Sequence, residues 1–332
     1  MKISVIIPTY NREEHLKNCL SSLLNQRKVP YEILVIDNSS NYKAQKVVNN
    51  IMSEFDKKET HLYYFKNTEN SGAIARNLGA FRAKGDLIAF LDDDVILDGN
   101  YYYEIEKVFF KFPNALGVQG CDKFSYDSYQ KTMGSFFRRS IYQYEKIFMV
   151  SSFFEKEKSR VLPSLCVTNP NPGFDLTVQS EWISTCAGVF SKEVFKKFKF
   201  DSQFKKYSWN EYLDFSYSIY LEDKKSLFVT SKATYVDVQT SQGRLPPKEL
   251  IYMSEVYDIY IFLKIFNMTY KNILIYVWSK FGRMAYNIIR ILTRHPKNIK
   301  LILDCLYAPL YVLLNFSKIK KGNLDFFNKT LS

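Results

Sequence analysis

Three consecutive carboxylates, Asp92, Asp93 and Asp94, are the residues of this chain best suited to chemistry. They follow an apolar run at 87–91 that predicts a buried strand, so they lie at a strand end with a loop after them. Anions this close repel one another, and burying one of them unpaired is costly. Because no Lys or Arg lies within several residues, the sequence predicts a divalent cation here. Mg²⁺ and Mn²⁺ suit hard oxygen ligands and also take oxygens from a substrate phosphate. A solvated acidic turn is the alternative.

The segments before the triplet alternate between two kinds of apolar pattern. Short buried-type strands are predicted at residues 3–7, 32–36 and 62–65. Segments with helical spacing are predicted at 13–26, 44–55 and 73–83. This alternation predicts βαβ units and a parallel sheet, whose ligands collect at the carboxyl ends of the strands. Just past the predicted strand ends lie Thr9, Asp37, Asn70 and Asp92. We therefore expect these four residues at one edge of the sheet.

The segments after the triplet are less regular. A helix at 101–112, strands near 117–120 and 184–190, and a helix at 192–198 are predicted, while 125–178 shows no clear periodicity. A further helix opens at Trp209 and runs to about residue 221. Two closing strands are predicted at 226–229 and 233–238, followed by a loop at 239–244 and a boundary at Pro246-Pro247.

The composition predicts a folded chain with a basic tail. The 332 residues are 46% hydrophobic, which is ample for a buried core, and the net charge is +12. From residue 245 to 332 there are 13 Lys or Arg and 5 Asp or Glu, so +8 lies in the tail. Such an excess favours an anionic partner: nucleic acid, a membrane face or a charged substrate. The five scattered cysteines argue against a zinc site or a disulfide framework and fit a reducing compartment.

The tail carries an amphipathic pattern. One narrow helical stripe consists of Leu274, Trp278, Phe281, Ala285, Ile288 and Leu292. The opposite stripe consists of Lys280, Arg283, Asn287, Arg290 and Arg294. The next apolar segment, 301–316, is interrupted by Asp304 and Pro309 and is shorter than the roughly 20 residues of a bilayer span. The tail is therefore predicted to lie on a membrane without crossing it. Packing on the catalytic domain or on a second subunit, with the charges solvated, is the open alternative.

Four segments, read together, resemble family 2 glycosyltransferases with the GT-A fold. They are residues 4–12, 35–40, 70–80 and 90–94. The likeness is clear over 1–115, patchy over 181–240 and absent from the tail. It implies an α/β fold: a Rossmann-like, mostly parallel sheet flanked by helices, followed by a helical C-terminal region. The implied division is a catalytic domain at 1–244, with a nucleotide-binding half at 1–115 and an acceptor half at 116–244, and a tail at 245–332.

The resemblance also implies roles for individual residues. The nucleotide-sugar donor would be bound by Pro8, Thr9, Tyr10, Arg12, Asp37, Asn70, Gly72, Arg76, Asp92, Asp93 and Arg244. Mn²⁺ or Mg²⁺ would be bound by Asp94, Asp92 and Asp237. Family members usually place Glu-Asp at the start of a helix to supply the general base, but here Tyr212 holds the usual Asp position. Glu211 is the first choice for the base and Asp214 the second.

The implied activity is an inverting, metal-dependent transfer of a sugar from a nucleotide-sugar, such as a UDP-sugar, to a glycan or lipid-linked glycan. The expected setting is cell-surface polysaccharide biosynthesis. The enzyme is expected in the cytoplasm, held at the inner membrane face or dimerised by its C-terminal helices, with no nucleic-acid partner. Two alternatives stay open. One is a non-catalytic binding or scaffold protein on the same fold. The other is a sugar-phosphate nucleotidyltransferase, which the lack of Gly at residues 9–12 disfavours.

Overall fold

A computed structural model of the chain describes residues 1–155, 159–171, 176–238, 240, 242–294 and 298–331. Its strands are β1 (Ile3–Thr9), β2 (Glu32–Asp37), β3 (His61–Lys66), β4 (Leu87–Phe90), β5 (Val95–Leu97), β6 (Gly117–Asp122), β7 (Phe153–Glu155), β8 (Thr168–Pro170), β9 (Thr177–Gln179), β10 (Val189–Ser191) and β11 (Leu227–Asp237). Its helices are α1 (Glu13–Leu24), α2 (Lys43–Asp56), α3 (Gly72–Arg82), α4 (Tyr101–Lys111), α5 (Lys123–Met133), α6 (Phe136–Phe148), α7 (Val194–Lys197), α8 (Glu211–Glu222), α9 (Pro247–Ile265), α10 (Tyr270–Arg294), α11 (Ile299–Lys320) and α12 (Asp325–Asn328).

The architecture is a nine-stranded mixed sheet with helices on both faces. The strand order is β3-β2-β1-β4-β10-β6-β11-β5, and β9 pairs with β11. The strands β1 to β4 pair in parallel, as predicted, whereas β10 is antiparallel to both of its neighbours. The two predicted closing strands are one strand, β11, whose register against β6 shifts between Val229 and Thr234. The predicted α/β class with a helical C-terminus is confirmed.

The first strand shows why the sheet is buried on both faces. Ile6 belongs to one apolar cluster, while Val5 and Ile7 belong to the other. Successive side chains of a strand point to opposite faces, so a continuous apolar run supplies both. Helix α3 approaches β1 closely, since a Cβ at Gly79 would lie 2.4 Å from Cγ2 of Ile6. This packing holds the N-terminus of α3 near the carboxyl end of β1.

The tail is packed more deeply than the sequence predicts. Helix α9, which the sequence analysis did not predict, contributes Met253, Val256, Tyr257 and Phe262 to the same core cluster as Ile6. The segment predicted as too short for a bilayer becomes α11, a 22-residue helix that continues through Pro309. Its length and apolar composition are sufficient to cross a membrane, so the expected length was wrong. The expectation that the tail lies on a membrane without crossing it stays a prediction. The division at residue 244 stays a prediction.

Helix α10 forms where it is predicted, but its orientation differs from expectation. Lys280 and Arg283 face inward and make ion pairs with Asp258 of α9. The apolar stripe faces outward, and four of its side chains are 47% to 58% exposed: Leu274, Trp278, Phe281 and Leu292. The solvated charges that the packing alternative assumed are not found at Lys280 and Arg283, because both pair with a buried carboxylate on another helix. A helical repeat alone does not identify which face is buried.

Candidate active site

A cavity of about 660 Å³ opens at the carboxyl ends of the central strands. Most of the residues predicted for the donor, the base and the metal line it. They are Pro8, Thr9, Tyr10, Arg12, Asn70, Gly72, Arg76, Asp92, Asp93, Glu211, Asp237 and Arg244. Three other predicted residues, Asp37, Asp94 and Asp214, lie outside the lining. The predicted edge of the sheet, at the carboxyl ends of the strands, therefore lines this cavity.

Arg12 neutralises two members of the acidic triplet. Its Nη1 lies 3.0 Å from Oδ1 of Asp93 and 3.0 Å from Oδ2 of Asp94. The hydroxyl of Thr9 donates to Oδ2 of Asp93 at 2.7 Å. Burial raises the pKa of Asp93 to about 7, although Arg12 and Thr9 both act to lower it. Loss of hydration destabilises the charged carboxylate by more than its contacts with Arg12 and Thr9 stabilise it.

Arg76 connects the triplet to the predicted general base. Its Nη2 donates to Oδ1 of Asp92 at 2.7 Å, and its Nη1 donates to Oε1 of Glu211. Ser71 caps α3 by accepting from the backbone N–H of Ile74, which fixes the helix that carries Arg76. The sequence premise that only a cation could offset the triplet is thus incomplete. Two arginines that are distant in the sequence supply part of the positive charge.

Glu211 and Asp214 differ in what they can reach. Glu211 lines the cavity, and its Oε2 has no hydrogen-bond partner among the described residues. Burial raises the pKa of Glu211 to about 7, with Arg76 opposing this rise and Asp92 adding to it. Asp214 is buried outside the lining, and its Oδ2 accepts from Nζ of Lys264 at 2.7 Å. A group that lines the cavity and has a pKa near neutrality suits proton abstraction. This geometry favours Glu211.

Residues 242 and 243, which come after β11, lie over the end of β1. The carbonyl of Gln242 accepts from Nε of Arg12 at 2.7 Å, and its side-chain amide donates to the carbonyl of Asn11 at 2.6 Å. Gly243 has a φ of +72°, a left-handed conformation that favours glycine. Arg244, which is exposed, follows directly and lines the cavity. An arginine at a cavity mouth can pair with a phosphate oxygen.

Asp37 is engaged within the protein. It is fully buried, and its Oδ2 accepts from the hydroxyl of Tyr64 at 2.7 Å and from Nζ of Lys66 at 2.9 Å. Its Oδ1 accepts from the backbone N–H of Ser39 at 2.8 Å. These donors hold the loop after β2 in place, next to Asn38 of the lining. The predicted contact between Asp37 and a nucleotide base stays a prediction.

Several lining residues were not predicted from the sequence. They are, among others, Asp122, Trp182, Tyr207, Trp209 and Tyr212. Tyr207, Trp209 and Tyr212 flank Glu211 in the chain, so their nearness to the predicted base was a usable signal. Asp122 is the last residue of β6, and Trp182 follows β9; no local pattern reveals where these two strands lie in the sheet.

The charges of the site fit a divalent cation that is shared with a substrate. Asp92, Asp93, Asp94 and Glu211 carry −4 when ionised, and their partners Arg12 and Arg76 carry +2, which leaves −2. The Asp92 side chain is 35% exposed and therefore accessible from the cavity. Within the part of the chain that the structure describes, no group of three His, Cys, Asp or Glu side chains could hold a metal. A cation here would need further oxygen ligands, as Mg²⁺ usually does.

Comparisons with known proteins agree with this architecture. S. aureus TarS 1-349 in complex with UDP-GlcNAc matches with a TM-score of 0.55 at 14% identity, over 97% of this chain and 91% of that one. GalNAc-T7 with UDP, GalNAc and Mn²⁺ matches with a TM-score of 0.54 at 14% identity, over 89% and 58%. At such identities the likeness establishes the fold. The chain has the GT-A glycosyltransferase fold.

The sequence comparisons identify the family. Residues 4–167 match the family described as glycosyl transferase family 2. An uncharacterized glycosyltransferase of Haemophilus influenzae is 40% identical over 92 residues, which are 28% of this chain and 36% of that protein. Glycosyltransferase GlyA of Streptococcus pneumoniae is 27% identical over 203 residues, which are 60% and 26%. A poly(ribitol-phosphate) beta-glucosyltransferase of Bacillus spizizenii is 38% identical over 98 residues, which are 28% and 15%. The matches thus span about a third or less of these relatives. Residues 4–167, about half of the chain, therefore carry a glycosyl transferase family 2 domain, which supports a glycosyltransferase.

Proposed function

We propose that the chain is an inverting, metal-dependent glycosyltransferase that moves a sugar from a UDP-sugar to a glycan or lipid-linked glycan of a bacterial cell surface. The observation that carries the proposal is the pairing of Glu211 with Asp92 through Arg76 at one cavity. A general base and an exposed carboxylate at the predicted donor edge are what a direct displacement needs. The base takes the proton of the acceptor hydroxyl as that oxygen attacks the sugar.

The donor lies over the end of β1 in this proposal. Pro8, Thr9, Tyr10 and Asn70 line that side of the cavity, with Arg244 at its mouth. A Mn²⁺ or Mg²⁺ ion would be held by Asp92, with Asp94 and Asp237 nearby, and would stabilise the charge of the leaving diphosphate. Arg12 keeps Asp93 and Asp94 in place through its two ion pairs. Arg244 then provides a positive charge for the diphosphate.

The test of this function is turnover by the full-length chain. UDP release is measured for a panel of UDP-sugars, with Mn²⁺ and with chelator, alongside the variant Asp92→Asn and its control Asp98→Asn. Asp98 is a partly exposed carboxylate that pairs with Lys123. We expect metal-dependent release that Asp92→Asn lowers by at least a hundredfold, because it removes a charge at the leaving group. Equal activity of Asp92→Asn and Asp98→Asn would contradict the metal role. No turnover of any donor would favour a non-catalytic protein.

The acceptor is expected at a membrane surface, because the tail exposes an apolar face. Besides the four outward residues of α10, four leucines of α11 are 44% to 85% exposed: Leu306, Leu310, Leu313 and Leu314. Exposed cations on the same two helices are Lys271, Arg290, Lys318 and Lys320. Apolar side chains flanked by cations fit an anionic lipid surface. The Bacillus spizizenii relative, whose name is poly(ribitol-phosphate) beta-glucosyltransferase, motivates a polymeric acceptor.

Sedimentation with vesicles of phosphatidylglycerol and phosphatidylcholine tests the membrane partner. The double variant Phe281→Ser, Leu314→Ser removes two exposed apolar groups, and Phe110→Ser on α4 is the control with a 65% exposed ring. Burying one such side chain contributes about 1.5–3 kcal/mol, so vesicle binding should fall at least tenfold in the double variant. Equal binding by the double variant and the control would contradict the proposal. A stable dimer that does not bind vesicles would point to a second copy on this face.

A further inference from the structure

Asp258 of α9 is a buried carboxylate that contacts the segment leading into the predicted base. It is fully buried, and its Oδ1 accepts from Nε1 of Trp209 at 3.0 Å and from Nδ2 of Asn210 at 2.9 Å. Asn210 is the residue before α8, and Glu211 is the first residue of that helix. Trp209, Asn210 and Glu211 all line the cavity. Asp258 does not line it and therefore acts on the site through its neighbours.

The other oxygen of Asp258 is held by two cations of α10. Its Oδ2 accepts from Nζ of Lys280 at 2.8 Å and from Nη1 of Arg283 at 2.5 Å. Burial alone would raise the pKa of Asp258, but Lys280 and Arg283 lower it below its ordinary value. The carboxylate thus stays ionised, and bonds to a charged acceptor are the stronger kind. Four donors from two different regions of the chain converge on one side chain.

The segment that Asp258 contacts has a backbone that needs support. Lys206, Ser208 and Asn210 have φ values of 56°, 52° and 58°, a left-handed conformation that non-glycine residues adopt at a cost. Such conformations persist where the surroundings over-determine them. The two side chains that Asp258 binds lie inside this segment, directly before Glu211. Without them the turn would relax, and the start of α8 would move with it.

We propose that Asp258 is a positioning residue that fixes the Trp209–Glu211 turn and so sets the place of the Glu211 carboxylate beside Arg76. The helices α9 and α10 are then part of the catalytic unit. This inference rests on the proposed function, since it concerns the same base. Helix α10 holds Asp258 with one face and exposes its apolar stripe with the other. The lipid-facing part of the tail therefore lies one helix away from the turn that carries the base.

The variant Asp258→Asn tests this role in the full-length protein. It keeps an acceptor for Trp209 and Asn210 but removes the charge that orders the cluster. A displacement of about 1 Å at a reacting group lowers the rate on the order of a hundredfold, so we expect kcat to fall about ten- to a hundredfold while the donor KM changes less than about threefold. Water entering the loosened turn should lower the pKa of Glu211, which moves the acid limb of the pH–rate profile to lower pH.

The control is Glu255→Gln. Glu255 lies on α9, as Asp258 does, and pairs with the same Lys280 of α10 at 3.0 Å. It should leave kcat and the pH profile unchanged. Hydrogen–deuterium exchange of residues 206–214 gives a readout that needs no activity, and it should accelerate only in Asp258→Asn. A folded Asp258→Asn protein with the kcat, pH limb and exchange of the control would overturn the inference. If Asp258→Asn does not fold, Trp209→Phe removes one of the two donors, and an unchanged kcat and exchange there would overturn it.

The two proposals fail in different ways. If the wild type turns over a donor and Glu211→Gln lowers kcat by about a hundredfold or more while Asp258→Asn keeps the wild-type kcat, only the positioning role is wrong. If the wild type turns over no donor, the proposed function fails. The exchange experiment then still decides whether Asp258 orders the turn.

Discussion

Replacing Glu211 by Gln tests proton abstraction while keeping the size and position of this side chain. Glutamine has nearly the same shape, keeps an oxygen that can accept from Arg76 and retains the position at the start of α8. It loses the negative charge and, with it, the ability to take a proton. Positioned general bases contribute roughly 10²- to 10⁴-fold, so kcat should fall by that factor while donor binding is retained.

The pH dependence of the rate is a second, independent test of Glu211 as the base. The pKa of Glu211 lies at about 7 because burial outweighs the pairing with Arg76. The base works in its ionised form, which accumulates as the pH rises. At pH 6 only about a tenth of the molecules hold the ionised form, and at pH 8 about nine tenths do. Activity should therefore rise roughly tenfold between these values, with the acid limb centred near 7.

The assay is UDP release by the full-length enzyme across pH 5.5 to 8.5, with saturating donor and acceptor. Glu222→Gln is the matched control, because Glu222 ends the same helix and pairs with Lys197 at the surface. Wild type and Glu222→Gln should show the same limb, whereas the residual rate of Glu211→Gln should be flat across it. A Glu211→Gln protein within threefold of wild type, or one that keeps the limb, would refute the assignment of the base.

Two further predictions concern glycines, and a third concerns how the free energy of unfolding depends on pH. A Cβ at Gly72 would lie 3.0 Å from Nη1 of Arg76 and 3.2 Å from Oε1 of Glu211, so Gly72→Ala should lower kcat severalfold with little change in melting temperature. Gly79→Ala should destabilise the fold by about 1–3 kcal/mol in urea unfolding, because its methyl group would overlap Ile6, and a wild-type midpoint would contradict this packing. The folded-state pKa of Glu211 is raised above its unfolded value, so its contribution to stability is present at about pH 4.5 and is lost as the pH rises through about 7. The free energy of unfolding of Glu211→Gln should lack this decline.

The sequence was sufficient to predict the strands and helices whose apolar pattern lies within the element itself. In β1 to β4 each short apolar run is buried on both faces, and each helix between them has a regular apolar spacing, so type and position follow from periodicity. The placing of Thr9, Asn70 and Asp92 at one edge follows from the parallel order alone. Helix α9 was missed for the opposite reason. Its buried residues surround it on most sides, so it has no amphipathic pattern, and Pro246-Pro247 was interpreted as a boundary.

The ion pairs of the acidic triplet and of Glu211 could not be predicted from the sequence. Arg12 is more than 80 residues from Asp93 and Asp94, and Glu211 is 135 residues from Arg76. Nothing local indicates such partners, so the acidic triplet looked unpaired. The inward orientation of Lys280 and Arg283 has the same origin, because it depends on Asp258 of another helix. Ion pairs between residues distant in the sequence therefore determine both the net charge of the site and which face of α10 is exposed.

Crystals of the full-length protein grown with Mn²⁺ and a non-hydrolysable UDP-sugar test the central claim most directly. The account predicts the nucleotide over the end of β1, an anomalous manganese peak bridging Asp92 and the diphosphate, and the anomeric carbon on the Glu211 side of the cavity. A nucleotide bound elsewhere, with the Asp92 edge free of metal, would contradict it.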